Sequence, residues 1–112
     1  MTRQEVELMA IEYAMNALQT ECKMWSQYFQ TDILAIEYEL FEDYGKAYLV
    51  VNGERRDFVT IRFQDVATVL RFPLYYTEKP FEAIKEEFNL QAPQMFEITQ
   101  VESEEQLCQE TN

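Results

Sequence analysis

Residues 3–29 read RQEVELMAIEYAMNALQTECKMWSQYF and contain the longest regular pattern in the chain. Apolar residues recur in this segment at alternating spacings of three and four, which places them on one stripe of an α-helix. Neither Gly nor Pro interrupts the segment, and Thr2 with Glu5 fits a capping box at its start. The pattern therefore predicts one helix of roughly 40 Å. Its apolar stripe consists of Leu8, Ile11, Met15, Leu18, Cys22, Trp25 and Phe29.

The stripe can pack against the protein's own sheet, or it can pair with the same helix of a second copy. The interface of such a homodimer would contain Leu8, Ile11, Met15, Leu18 and Trp25. A coiled coil prefers opposite charges beside its seam, whereas Glu7, Glu12 and Glu21 would bring like charges together. We therefore favour burial against the sheet. A weaker second stripe, which fits either a helix wedged between two layers or a homodimer, consists of Met9, Tyr13, Ala17, Thr20 and Met24.

Three segments after the helix predict an antiparallel meander. Residues 33–41 alternate, so that Leu34, Ile36, Tyr38 and Leu40 share one face while Glu37 and Glu39 share the other. Residues 42–45 form a polar turn before a second strand at 47–51. Asn52-Gly53 is a strong hairpin signal because both residues tolerate positive φ, and a third strand is expected at 58–63. The helix can cover this sheet.

The patterns become weaker beyond the third strand. Residues 65–72 fit either a short helix capped by Asp65 or a strand, and Pro73 ends either one. Residues 80–88 predict a second, shorter helix near 80–89, with Pro80 in its first turn and Asn89 as its stop. Its inward face would carry Phe81, Ile84 and Phe88.

These patterns together predict an α+β fold in which the long helix packs on a three- to four-stranded antiparallel sheet. A fourth, edge strand fits residues 95–101. We expect a single domain over residues 1–101. Residues 102–112 are acidic with little apolar content, which is typical of a flexible C-terminal tail.

Composition excludes several classes of function. With two Gly and no His among 112 residues, phosphate-binding loops, His-activated nucleophiles and imidazole zinc sites are ruled out. Acidic residues interrupt the N-terminal segment, and apolar runs reach only five residues, so neither a signal peptide nor a membrane helix is expected. Cys22 and Cys108 are too few for a disulfide scaffold. We expect a cytoplasmic protein, with a phage or plasmid product in a host cytoplasm fitting equally well.

The formal net charge of −12 is distributed unevenly along the chain. Residues 1–45 carry −7, residues 46–71 carry +2, and residues 72–112 carry −7. Such a field repels phosphate backbones and attracts cationic surfaces, so a basic protein is favoured as partner and direct nucleic-acid binding is disfavoured. Tyr44, Tyr75 and Tyr76 lie in or beside expected loops, where tyrosine suits an interface.

Two acidic clusters are the candidate partner-binding sites. Glu37 and Glu39 are about 6.6 Å apart along a strand, a spacing that resembles successive phosphates. The first cluster consists of Glu37, Glu39, Glu42, Asp43 and Tyr44. The second cluster consists of Glu78, Glu82, Glu86 and Glu87.

The favoured function is a non-enzymatic acidic module that binds a basic partner, for example as a nucleic-acid mimic that inhibits a nucleic-acid-binding enzyme. Anti-CRISPR, anti-restriction and nuclease-immunity proteins are analogous in size and charge alone, since no motif ties the chain to them. A helix-mediated dimeric scaffold is the alternative. A small carboxylate-dependent enzyme or metal binder is the third hypothesis, although no residue pattern singles out a catalytic group, a metal site or a cofactor site.

Overall fold

The computed structural model describes residues 1–92 of the chain, and the predicted strand at 95–101 and the tail at 102–112 lie outside this range. The predicted α+β fold is confirmed: a long N-terminal helix, a three-stranded antiparallel sheet and two shorter helices follow one another. The elements are α1 (Arg3–Tyr28), β1 (Leu34–Leu40), β2 (Tyr44–Val51), β3 (Glu54–Arg62), a 3-10 turn (Phe63–Asp65), α2 (Val66–Arg71) and α3 (Pro73–Glu87).

Helix α1 has both of the end structures that its sequence allows. The Glu5 amide donates to Thr2 Oγ1 at 3.1 Å, and the Thr2 amide donates to Glu5 Oε1 at 2.7 Å, so the capping box is present. At the other end, Gln30 has φ of 55°, and the Thr31 amide donates to the Ser26 carbonyl at 2.9 Å. This left-handed residue reverses the chain and satisfies the last carbonyls of the helix.

The apolar stripe of α1 packs against the sheet, as the sequence favours. Ile11, Met15 and Leu18 are at most 1% exposed and form the centre of the core. Gly45 of β2 allows this close approach, because a Cβ atom there would lie 2.9 Å from Ile11 Cγ2 and from Met15 Cε. The helix thus rests directly on the sheet backbone.

The sheet has the strand order β1-β2-β3, with Leu34 opposite Val51 and Tyr44 opposite Arg62. Asn52 and Gly53 both have positive φ, as a tight hairpin of this type requires. Side chains of α1 cover the outer edge of β1, since Gln19 Nε2 donates to the Ile36 carbonyl at 3.0 Å and Ser26 Oγ to the Leu34 carbonyl at 3.1 Å. Blocking an edge in this way prevents further strand pairing there.

Residues 65–72, for which the sequence allowed either a helix or a strand, are mainly helical. Most of them form α2, which follows the 3-10 turn. Asp65 does not cap α2, because its carboxylate accepts the Arg62 amide at 2.9 Å instead. Val66 and Val69 point into the core, which explains why three-to-four spacing prevails over alternation here.

The predicted start of the last helix is wrong, because α3 begins at Pro73 and Pro80 lies inside it. Pro73 takes the first-turn position that the sequence assigned to Pro80. Pro80 has no amide hydrogen to donate to the carbonyl of Tyr76, yet Thr77 and Phe81 on either side of it are fully buried. Packing therefore outweighs the missing hydrogen bond. The predicted stop is confirmed, since Asn89 has φ of 55° and the Leu90 amide donates to the Lys85 carbonyl.

Candidate functional site

The structure places Glu37 and Glu39 on the open face of the sheet, where an arginine binds both. Arg55 of β3 reaches across β2, with Nη2 at 2.8 Å from Glu37 Oε1 and Nη1 at 3.5 Å from Glu39 Oε2. Its guanidinium lies 4.1 Å above the centre of the Tyr48 ring. The hydrogen bond to Glu37 is the main cause that raises the pKa of Arg55. Glu37 and Glu39 of the first cluster are thus already paired within the molecule.

The turn between β1 and β2 contains one further ion pair of the first cluster. Arg62 Nη1 lies 4.0 Å from Asp43 Oδ2, and its guanidinium lies 5.1 Å from the centre of the Tyr44 ring. That ring is half-buried and stacks on Phe41 at 4.8 Å. Glu42 is exposed, and its main-chain carbonyl accepts from Gln4 Nε2. Two parts of the first cluster are therefore paired separately: Arg55 bridges Glu37 and Glu39 along β1, whereas Arg62 meets Asp43 at the turn between β1 and β2.

The second acidic cluster divides into two parts on α3. Glu87 turns toward the sheet and receives two hydrogen bonds from Arg56, at 3.0 and 2.8 Å. These bonds lower the pKa of Glu87. The remaining carboxylates are exposed along the outer side of the helix at intervals of four residues. This outer row consists of Glu78, Glu82 and Glu86.

Helices α1, α2 and α3 enclose a groove of about 830 Å³, which we call the elbow groove. Four apolar side chains in it are largely exposed: Met24 (56%), Phe72 (56%), Leu74 (53%) and Tyr75 (78%). The complete lining is Glu21, Met24, Thr68, Arg71, Phe72, Pro73, Leu74, Tyr75 and Tyr76.

The groove exists because α2 ends and α3 begins within two residues. The Phe72 amide donates to the Thr68 carbonyl at 2.8 Å, and the Tyr75 amide donates to the Phe72 carbonyl at 3.0 Å. The chain therefore turns sharply at Phe72 and Pro73. Tyr75 and Tyr76 lie in the first turns of α3, not in a loop, and their rings meet edge to face at 5.2 Å. Burial is the main cause that raises the pKa of Tyr76.

Trp25 ties the elbow to the rest of the molecule. Its Nε1 donates to Thr77 Oγ1 at 3.2 Å, and its ring lies 5.6 Å from that of Phe81. Thr77 Oγ1 in turn donates to the Pro73 carbonyl at 3.2 Å, so a buried hydroxyl joins α1 to the start of α3. Trp25 thus anchors the α2–α3 junction on its buried side, while the apolar side chains that line the elbow groove stay exposed.

The outer face of α1 is also apolar. Val6, Met9 and Tyr13 are 49%, 56% and 66% exposed. They lie opposite the residues of the predicted homodimer interface, of which Ile11, Met15 and Leu18 are buried in the core and Leu8 and Trp25 are half-buried. Any contact between two such helices would therefore use the outer face.

Among the described residues, Cys22 is not an activated thiol, and no metal ligand set is present. Burial raises the pKa of the Cys22 thiol to about 11, so it is protonated near neutral pH. Between residues 1 and 92, no three Cys, Asp or Glu side chains lie close enough together to hold a metal ion. In the same part of the chain, no helix combines the length and apolar character that crossing a membrane requires.

The chain matches no protein-family model, no curated protein and no solved structure.

Proposed function

We propose that this protein is a non-enzymatic binding module that engages a basic partner protein through the elbow groove. The observation that carries the proposal is the exposure of Met24, Phe72, Leu74 and Tyr75 around one concave surface. Exposed apolar patches of this kind, rimmed by polar groups, mark interaction sites in soluble proteins. Tyrosine, phenylalanine and methionine are also the residues that interface centres favour.

The net charge of the chain supports a partner with a basic surface. The chain carries −12, so the long-range field attracts cationic proteins and accelerates their encounter. The apolar groove would then supply short-range affinity once the partner has docked. Because the steering is electrostatic, the association rate should fall as salt is added, while part of the affinity persists.

A nucleic-acid-binding enzyme is one kind of partner with a suitable basic surface, and the module would then act as an inhibitor. In the mimic form of this hypothesis, Glu37 and Glu39 replace phosphates. Their carboxylates are already bound by Arg55, which favours the elbow groove over the sheet as the contact surface. We further propose a cytoplasmic location, on the sequence grounds given above.

Affinity capture from a cytoplasmic lysate at low and high salt tests this function. The bait is the full chain, beside the variant Leu74→Ser/Tyr75→Ser. A matched control, Met9→Ser/Tyr13→Ser, removes equally exposed apolar groups from the outer face of α1. We expect the native chain and the control to capture the same basic proteins. The groove variant should capture at least about tenfold less of them. Retention of the same proteins by all three baits, or recovery of acidic proteins, would contradict the proposal.

A helix-mediated dimeric scaffold is the second candidate, and the outer face of α1 is the observation that favours it. Tyr13 and Met9 could pack against a second copy without disturbing the core. Light scattering coupled to size exclusion tests this function. A dimer that Tyr13→Glu converts into a folded monomer supports it, and a monomeric native chain at high protein concentration excludes it.

A further inference from the structure

We infer that the elbow groove takes an amphipathic, basic α-helix of the partner protein, an inference that rests on the proposed function. The walls of the groove belong to three helices, and at the α2–α3 junction the Phe72 and Tyr75 amides donate to the Thr68 and Phe72 carbonyls. An extended peptide finds no strand edge to pair with here. Recognition must therefore come from side chains that enter the groove, which is how helices bind in grooves.

The shape and lining of the groove also favour a helix. Its volume of about 830 Å³ is large enough for several side chains, and its most exposed apolar side chains are Met24, Phe72, Leu74 and Tyr75. A helix presents apolar residues at positions i, i+3 or i+4, and i+7 on one face, which suits these apolar side chains. The flexible thioether of Met24 can adapt to the side chains that enter.

Negative charge follows the apolar start of α3. Leu74, Glu78, Glu82 and Glu86 occupy one row at intervals of four residues, so three carboxylates follow an apolar residue in steps of about 6 Å. Lys or Arg residues at the same interval on a partner helix advance by the same step. Glu78 and Glu86 have no ion-pair partner among residues 1–92, whereas Lys85 lies 3.9 Å from Glu82. Lys79 is exposed on the same helix, so Lys79 and Lys85 partly balance the three carboxylates.

Charge also decides against two other occupants. Residues 93–112 hold five acidic and no basic residues, so this segment has the same sign as Glu21 and Glu78 beside the groove. A second copy of the chain brings its own charge of −12 to the same surface. A basic partner helix is attracted by Glu21 and Glu78, while Arg71 in the groove lining opposes it at one point.

A display selection on the full chain tests the inference. Random peptides of about 18 residues, long enough for a helix of about 27 Å, are selected on the native chain. The selected pool is then rebound to Leu74→Ser/Tyr75→Ser, to Glu78→Gln/Glu86→Gln and to the control Met9→Ser/Tyr13→Ser. We expect peptides with apolar residues at helical spacing beside Lys or Arg at four-residue intervals. They should lose at least about tenfold in retention on the groove variant, less on the Glu variant, and nothing on the control.

The outcomes separate this inference from the proposed function. Selection of basic peptides whose apolar and polar residues alternate, or that contain central prolines, would contradict a helical ligand. Basic peptides that bind the groove variant as well as the native chain would contradict it too. Neither result would contradict the proposal of a basic partner. Selected peptides without an excess of basic residues contradict both proposals. A pool that never exceeds the background of the groove variant also overturns the inference, while the lysate capture still tests the function. Circular dichroism of each variant confirms that a loss of binding is not a loss of fold.

Discussion

The open face of the sheet and the elbow groove differ in how far each satisfies its own side chains. On the sheet, the carboxylates of Glu37 and Glu39 are bound by Arg55, which itself lies on the Tyr48 ring. In the elbow groove, Phe72 and Tyr75 remain more than half exposed. The difference teaches that a negative net charge does not by itself locate a binding site. The surface left incomplete by the fold is the apolar one.

The largest expected effect comes from removing the anchor of the elbow. Trp25→Ala should lower the free energy of unfolding by about 3 kcal/mol, because it removes the ring contact with Phe81 and the hydrogen bond to Thr77. Trp25→Phe keeps a ring and should lose about 1 kcal/mol. Urea denaturation measures both values. If the two variants are equally stable, the hydrogen bond to Thr77 and not the ring contact with Phe81 stabilises this junction, which would contradict the expected order.

The next largest effect is the pH dependence of stability that Cys22, on the buried face of α1, contributes. The folded state raises the pKa of Cys22 from 9.0 to about 11, so the unfolded chain loses the thiol proton first as pH rises. The stability that the neutral thiol contributes is complete below pH 9 and is lost as pH rises through 11, by about 2.7 kcal/mol in total.

The measurement is urea denaturation across this pH range for the native chain and for Cys22→Ala. Because Tyr and Lys residues titrate in the same range, the quantity of interest is the difference between the two pH slopes. Parallel slopes would show that the thiol ionises as readily in the folded chain as in the unfolded one, which a buried Cys22 does not allow.

The smallest effect is expected on the sheet. Glu37→Gln/Glu39→Gln removes the ion pairs of Arg55, and these groups are roughly half exposed. Exposed pairs contribute little, so the free energy of unfolding should change only slightly, and less still at high salt. Thermal unfolding at two salt concentrations measures it. A loss of several kcal/mol would mean that the paired charges hold the sheet together.

Local chemistry explains which parts of the fold were predictable. The capping box at Thr2, the three-to-four spacing along α1 and the Asn52-Gly53 turn each depend on neighbouring residues, and all three are present. The start of α3 was not predictable, because a proline at position 73 or at position 80 satisfies the same first-turn rule. Only the burial of Thr77 and Phe81 decides between them.

The candidate site was less predictable because it depends on residues distant in sequence. The pairing of Arg55 with Glu37 spans three strands and follows from the register of the sheet. The elbow groove needs Met24 from α1 beside Phe72 and Tyr75 from the α2–α3 junction. One local signal was available: residues 72–76 read FPLYY, and a helix start of this kind cannot bury every ring on one face.

Central to this account is the claim that the elbow groove, and not the sheet, meets the basic partner. The most direct measurement compares lysate capture by Leu74→Ser/Tyr75→Ser with capture by Glu37→Gln/Glu39→Gln, at one salt concentration. The account predicts that the first variant loses the basic proteins at least about tenfold, whereas the second retains most of them. Loss on the second variant with full retention on the first would contradict it and would return the contact to the carboxylates of β1.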